Sequence, residues 1–370
     1  MWHEERNGKH RFFESYKNPL TDKRQIVSCT MDNNTRATRK RAQEILQAKI
    51  DERLGAGRQR DITLRELIAA YIQDQRLSVR RSTQITSEYS LRAVERILDP
   101  DAIVSRLTAP YIRERLLATG EDGVTLNGRR KNIKKLLQWA YKNDYVQDIT
   151  YLAKLERFKE DVAYLDRIED KYLEQADLNA LIGGMQVENW KLLTAALAAS
   201  GMRPGEFYAL TNKDVNFKAR TITITKSYSR TSKEVTAPKT HSSNREIYMQ
   251  QDLYKTMYAI KKAMERQAKN YEYVPRGIFF CATDGGYISH DAYAKYFREN
   301  CQRILGRSYT PYVLRHTHVS LLAAGGQSLD AIARRVGHDN SAITRRIYFH
   351  VTKKLQEQEN AALDQIKIIR

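Results

Sequence analysis

The stretch Trp190-Lys191-Leu192-Leu193-Thr194-Ala195-Ala196-Leu197-Ala198-Ala199-Ser200-Gly201-Met202-Arg203-Pro204-Gly205-Glu206 decides how the second half of this chain is built. Trp190 to Ser200 reads as a helix. Gly201 is a good residue to follow its end, since glycine takes the left-handed conformation on which helices commonly stop. Pro204 suits the first turn of a following helix, where its missing N–H costs nothing. Met202 and Arg203 therefore fall in a tight corner between two helices. An arginine there is held rigidly, and Glu206, one turn on, is placed to orient its guanidinium.

The same punctuation recurs downstream. Leu314-Arg315-His316-Thr317-His318-Val319-Ser320-Leu321-Leu322 reads as a helix stopped by Gly325-Gly326, and Ser328 caps another that ends at Gly337-His338. A third short helix runs to Ile347-Tyr348. Between the corner and these helices, Thr221-Ile222-Thr223-Ile224-Thr225 alternates strictly, and Arg245-Glu246-Ile247-Tyr248-Met249 supplies a later strand. The loop Pro238-Lys239-Thr240-His241-Ser242-Ser243-Asn244 lies between them and holds a lysine at a strand edge. Past Tyr348, the residues Leu355, Ala362, Leu363, Ile366 and Ile369 fall near helical spacing, so the tail needs something to pack on.

Upstream, the chain falls into further blocks. Residues 1–57 combine short aromatic and β-branched segments, Arg11 to Tyr16 and Gln25 to Thr30, with a helix around Thr38 to Ile50 and a Gly55-Ala56-Gly57 linker. We read this as a small three-stranded sheet plus one helix, carrying Arg39, Lys40 and Arg41 as DNA contacts. Residues 58–150 turn helical, from Leu64 to Ile72 at one end to Ile133 to Tyr141 at the other, and read as a small bundle. Its loops carry Arg80-Arg81 and Asn127-Gly128-Arg129-Arg130-Lys131, the latter at an expected helix start where backbone N–H groups and cationic side chains both meet phosphate. A polar stretch, 151–169, reads as a linker, and 170–370 as a mostly helical block with a small antiparallel sheet. The fold class expected is α+β, mainly helical.

A chain of 370 residues exceeds one ordinary hydrophobic core, so several domains are expected. It has 63 Lys and Arg against 44 Asp and Glu, a net charge of +19 that calls for a polyanionic partner. The charge recurs along the whole chain instead of on one amphipathic helix, which favours nucleic acid over a membrane surface. No run approaches the roughly 18 apolar residues of a membrane span, so a cytoplasmic location is expected. Cys29, Cys281 and Cys301 are far apart and in no metal-binding spacing, which suggests neither a disulfide framework nor a metal site.

Four of these segments, taken in order, resemble the boxes of the tyrosine recombinases, the phage-type integrases. They are Gly201-Met202-Arg203-Pro204-Gly205-Glu206, Leu314-Arg315-His316-Thr317, Val336-Gly337-His338 and Thr344-Arg345-Arg346-Ile347-Tyr348. The resemblance implies a site-specific DNA recombinase of a phage or mobile element, with residues 1–57 as binder of arm sites and 58–150 as binder of core sites. It also implies a homotetramer on double-stranded DNA, with the tail docked on a neighbouring subunit or in cis, and accessory DNA-bending proteins. No cofactor or metal is expected.

The implied chemistry explains the residue types. Breaking a phosphodiester without metal or nucleotide requires neutralising a highly charged transition state, and planar guanidinium forks such as Arg203 and Arg315 bind phosphate oxygens two at a time. Tyr348 is the implied nucleophile, forming a 3′-phosphotyrosine that preserves the bond energy for religation. Lys239 is suited to protonate the leaving 5′-oxygen, and His338 to hydrogen-bond a phosphate oxygen. Where the family usually has histidine three residues before the second arginine, this chain has Tyr312. A phenol with an ordinary pKa of about 10 is a poor base but still donates a hydrogen bond, so slower cleavage is expected. The competing readings are a DNA-binding regulator with a disabled site and a relaxing topoisomerase. Taken singly, each motif residue reads as a surface charge or a packing residue, as do His316 and His318; the ordered set is what favours the recombinase.

Overall fold

The computed structural model describes residues 1–6, 8–18, 21–54, 62–160, 168–237, 244–337 and 342–365. It divides into two units, Met1–Glu160 and Asp161–Arg370. The first unit opens with the strands β1 (Trp2–Arg6), β2 (Lys9–Lys17) and β3 (Arg24–Met31), an antiparallel sheet in that order, followed by helix α1 (Arg36–Leu54). Alternation decides its two faces. Phe12, Val27 and Cys29 turn inward and are buried against Ala42, Leu46 and Ile50, which recur every four residues along α1. The other face carries Arg11, whose guanidinium lies 5.3 Å from the Phe13 ring centre and donates to Ser28 Oγ at 3.0 Å. Arg24 donates to Ser15 Oγ at 2.8 Å on the same face, and Trp2 stacks on Phe13.

The same unit contains a four-helix bundle: α2 (Leu64–Ser78), α3 (Arg81–Leu98), α4 (Ala109–Leu117) and α5 (Gly123–Lys142). Local chemistry starts these helices. Thr63 and Glu66 form a reciprocal capping box, Thr108 accepts from the Tyr111 N–H, and Asp122 accepts from the Val124 and Thr125 N–H groups. Leu67, Val94, Ile112, Ile133 and Leu137 meet in the bundle core.

Two expectations are corrected here. Residues 127–131 do not start a helix; they lie inside α5, which Asp122 caps, and Asn127 instead brackets the backbone of Phe158 through its N–H and carbonyl, both at 3.0 Å. The expected linker 151–169 is also too long. Leu152, Leu155 and Phe158 recur every three residues and are buried in the bundle core, so the chain up to Glu160 belongs to this unit.

The second unit begins with α6 (Gln175–Gly184), α7 (Glu188–Ser200) and α8 (Pro204–Tyr208). Strands β4 (Val215–Asn216), β5 (Thr221–Ile224) and β8 (Arg245–Tyr248) form an antiparallel sheet in that order. Ile222 pairs with Ile247, and Ile224 with Arg245. A hairpin of β6 (Ser227–Ser229) and β7 (Glu234–Thr236), absent from the sequence reading, lies in the connection between β5 and β8. Helices α9 (Gln251–Asn270), α10 (His290–Leu305), α11 (Val313–Ala324), α12 (Leu329–Val336) and α13 (Ala342–Asp364) complete it. The expected short third helix is instead the continuous α13. Nothing between Ala342 and Asp364 breaks a helix, and Ile347 and Val351, one turn apart, are both buried against Val319 and Val336.

Candidate active site

Gly201 ends α7 with φ of +65°, as its position after a Leu- and Ala-rich helix predicted. A Cβ at this residue would approach His318 Cδ2 to 2.4 Å, so glycine is required both for the backbone turn and for the ring behind it. The turn delivers Arg203 to the position just before α8, and Glu206 closes on it twice. Glu206 Oε2 accepts the Arg203 backbone N–H at 2.9 Å, and Oε1 accepts Arg203 Nη1 at 2.7 Å. Glu206 is buried, whereas the Arg203 side chain keeps a third of its surface open to solvent. The carboxylate thus anchors the guanidinium from below and leaves it facing outward.

Arg315 reaches the same corner from α11. It is buried, donating from Nη1 to the Gly201 carbonyl at 2.7 Å and from Nη2 to the Val336 carbonyl at the end of α12. Its Nε is buried with no hydrogen-bond partner among the described residues. Burial, followed by the neighbouring positive charge of Arg203, pulls its pKa down to about 9, while Glu206 and Tyr312 act in the opposite sense. It therefore remains charged at neutral pH. Arg203, Arg315 and Glu206 form one electrostatic cluster, drawn from segments far apart in sequence.

Tyr312 stands at the start of α11, half exposed, with its ring edge-on to His316 at 5.1 Å between centres. It lines a cavity of about 230 Å³ together with Pro204, Gly205, Tyr228 and Arg230, which places it beside the Arg203 corner. Burial and the charge of Arg315 push the His316 pKa down to about 4, so that ring is neutral at physiological pH. If the phenol merely substitutes for the usual histidine, Tyr312→His should cleave DNA at least as fast as the natural chain. A large drop in a single-turnover cleavage assay would show that the phenol itself is required.

His318 is buried behind the corner with both ring nitrogens engaged. A carbonyl only accepts and a guanidinium only donates, so Nδ1–H donates to the Ala198 carbonyl at 2.8 Å and Nε2 accepts Arg335 Nε at 3.0 Å. Burial, then the charge of Arg335, pushes the His318 pKa down to about 3 from 6.5. Below 6.5 the unfolded chain takes up a proton that the folded one refuses. Stability should therefore be unaffected by this group above pH 6.5 and fall as pH drops from 6.5 towards 3, by about 1.4 kcal/mol per pH unit. Urea titrations across that window should show His318→Asn lacking this component, and an unchanged slope would contradict the assignment.

Tyr348 lies on α13, half-buried against the cluster of Tyr172, Val319, Val336, Ile347 and Val351. Its helix packs on α11, which carries Arg315, and on α12, whose Val336 carbonyl Arg315 grips, and no hydrogen bond joins its phenol to Arg203 or Arg315 among the described residues. Lys239 and His338 lie outside the described residues. In the tail, Leu355 packs in cis on the Tyr348 cluster, the side chains of Ala362 and Leu363 are not described, and Ile366 and Ile369 lie outside the described residues.

The cations expected to meet DNA are all in the first unit. Arg39, Lys40 and Arg41 are exposed on α1, Arg80 and Arg81 are exposed at the start of α3, and Lys131 is exposed on α5. Arg129 is held by Glu121 at 3.1 Å and Arg130 donates to the Leu155 carbonyl at 2.7 Å, so these two are partly committed to the fold. The sequence reading missed Arg11 and Arg24 on the open sheet face, although strand alternation opposite Phe12 and Val27 carries that information. It also missed Arg245 and Arg335.

With this geometry in view, comparison with known proteins places the chain. The phage integrase family model matches residues 171–354. The "Prophage ps2 probable integrase" of Lactococcus lactis is 27% identical over 378 residues, covering 96% of this chain and 97% of that protein. The solved Tn1549 transposon integrase in complex with transposon right end DNA superposes with a TM-score of 0.62 at 21% identity, covering 81% of this chain and 100% of that one. A lambda integrase tetramer bound to a Holliday junction superposes with a TM-score of 0.57 at 15% identity, covering 92% of each chain. Residues 171–354 thus match the phage integrase family, and together these likenesses support a tyrosine recombinase.

Proposed function

We propose that this protein is a site-specific DNA recombinase of a phage or mobile element, acting by metal- and ATP-independent strand transfer through Tyr348. The observation that carries the reading is the paired guanidinium cluster. Arg203 faces outward on an anchored carboxylate, and Arg315 lies beside it with a buried, unpartnered Nε–H. An orphaned buried donor costs about 1–3 kcal/mol, which a phosphate oxygen would recover. Two like charges held together also repel each other, and a doubly charged pentacoordinate phosphorus relieves that repulsion more than the ground-state phosphodiester does.

In this reading the Tyr348 hydroxyl gives its proton to solvent and its oxygen bonds to phosphorus as the bond to the 5′-oxygen breaks. Lys239 supplies the proton that the 5′-oxygen takes up, and His338 donates to a phosphate oxygen. Tyr312 offers a hydrogen bond at the position next to Arg203. Exposed cations in the first unit bind the duplex: Arg80, Arg81 and Lys131 at core sites, with Arg129 and Arg130 adding charge, and Arg39, Lys40, Arg41 and the open sheet face at arm sites. The likeness of fold to a tetrameric integrase supports a homotetramer on DNA, and DNA-bending proteins are its expected helpers. Among the described residues no helix is long and apolar enough to cross a membrane, which accords with a cytoplasmic DNA-acting protein. A nicked suicide duplex, whose short 5′-leaving strand diffuses away after cleavage, tests this. In chelator and without ATP it should trap a covalent protein–DNA adduct. A regulator with a disabled site would bind the same duplex and leave no adduct.

A further inference from the structure

Arg245 occupies a place that the phosphate chemistry does not account for. It opens β8 opposite Ile224, on the buried side of the sheet, and its side chain is 6% exposed. All three guanidinium nitrogens are used. Nη2 and Nη1 donate to Glu206 Oε2 at 2.8 Å and Oε1 at 3.3 Å, and Nε donates to the Arg335 carbonyl at 2.8 Å. Glu206 is the carboxylate that aims Arg203. The Arg335 carbonyl is adjacent in the chain to the Val336 carbonyl that Arg315 grips. Arg335 itself is tied to the same framework, donating to His318, to the Tyr248 carbonyl at 3.0 Å and to Gln250 Oε1 at 2.7 Å.

We propose that Arg245 is a positioning residue for strand cleavage: one rigid fork that fixes the Glu206–Arg203 pair against the last turn of α12, which Arg315 holds from its other side. It touches neither phosphate nor nucleophile; it sets the spacing between the two guanidinium groups and the end of the helix that leads into His338. The inference rests on the reading of Arg203 and Arg315 as the phosphate clamp. Geometry of this kind matters because a misplacement of about 1 Å at a reacting centre can cost about 100-fold in rate.

Arg245 has a second effect on the same carboxylate. Burial raises the Glu206 pKa, but the Arg245 hydrogen bonds and charge, together with Arg203, outweigh it and hold the carboxylate below its ordinary value. The groups facing Glu206 are Arg203 from the turn before α8, Arg245 from β8 and Arg315 from α11. Arg335 of α12 lies beside Arg245, Tyr312 lies beside Arg315, and neutral His318 lies behind Arg335. Without Arg245, the remaining partner of the carboxylate is the half-open Arg203, and Glu206 becomes easier to protonate.

The test measures single-turnover cleavage of the nicked suicide duplex, DNA affinity and thermal unfolding for the full chain and for Arg245→Gln and Arg245→Lys, from acidic to mildly alkaline pH. Arg245→Gln should bind DNA as the natural chain does and cleave it about 100-fold more slowly, with the deficit deepening as pH falls. Arg245→Lys should lose that pH dependence, since an ammonium keeps Glu206 ionised. It should stay slower than the natural chain, since one nitrogen cannot reproduce a planar fork across Glu206 and the Arg335 carbonyl. Natural rates in both variants, full recovery in Arg245→Lys, a deficit in Arg245→Gln that is independent of pH, or a loss that follows DNA affinity or melting temperature would overturn the proposal. If Arg245→Gln does not fold, Arg245→Lys decides alone. Absence of adduct with the natural chain would sink the clamp reading itself, and this inference with it.

Discussion

Tyr348→Phe is expected to abolish covalent trapping on the suicide duplex while leaving DNA binding and folding intact. The substitution removes one oxygen from a half-buried ring whose packing in the α13 cluster is carried by its carbon atoms. No alternative nucleophile forms part of the proposed clamp, so the loss should reach the detection limit of the assay. Gel-shift affinity and melting temperature supply the control, since both should match the natural chain. Persistent adduct in the phenylalanine variant would mean that another side chain attacks phosphorus.

Arg315→Lys is the second large effect. Lysine keeps the charge but offers a single nitrogen, whereas the arginine donates to the Gly201 and Val336 carbonyls and still presents a buried Nε–H. Cleavage should fall about a hundred- to a thousand-fold, the usual consequence of removing a preorganised donor aimed at developing charge. Stability should also fall, since a carbonyl left without its donor in a buried site costs about 1–3 kcal/mol. DNA affinity, which rests on many exposed cations in the first unit, should change far less. A variant that cleaves at the natural rate would remove Arg315 from the clamp.

Much of this architecture is carried by local signals. Thr63 with Glu66, Thr108 with Pro110, and Ser328 each announce a helix start through chemistry confined to a few residues, and Gly201 and Gly337 close helices in the left-handed conformation. The corner that presents Arg203 is legible for the same reason: Gly201, Pro204 and the Arg203–Glu206 pair set its shape through bonds confined to a few residues. Errors arose where two local signals competed. Asn127-Gly128 resembles a helix start, but Asp122-Gly123 had already supplied one and Asn127 was needed by Phe158. Ile347-Tyr348 resembled a helix end because the motif stops there, yet buried Val351 carries the helix onward.

The network behind the clamp is of another kind. Arg245, Glu206, Arg335 and His318 are joined by hydrogen bonds between β8, α8, α12 and α11, and no short window of sequence contains two of the β8 and α12 partners. A hint existed in the alternation of β8, where Arg245 shares the inward register of Ile247, placing a charge among apolar neighbours. A buried arginine in that register requires a carboxylate or carbonyl partner, but the strand does not say which. Tyr312 shows the same limit. Its departure from the family pattern is visible in the sequence, while its place beside Pro204 and Arg230 becomes apparent only from the fold.

The most direct measurement is to trap the adduct formed by the unaltered chain on the nicked duplex, digest it, and locate by mass spectrometry the residue that carries the nucleotide. The account predicts a single modified peptide with the phosphodiester on Tyr348, joined to the 3′ end of the cleaved strand. A nucleotide on any other residue, or attachment through the 5′ end, would contradict it.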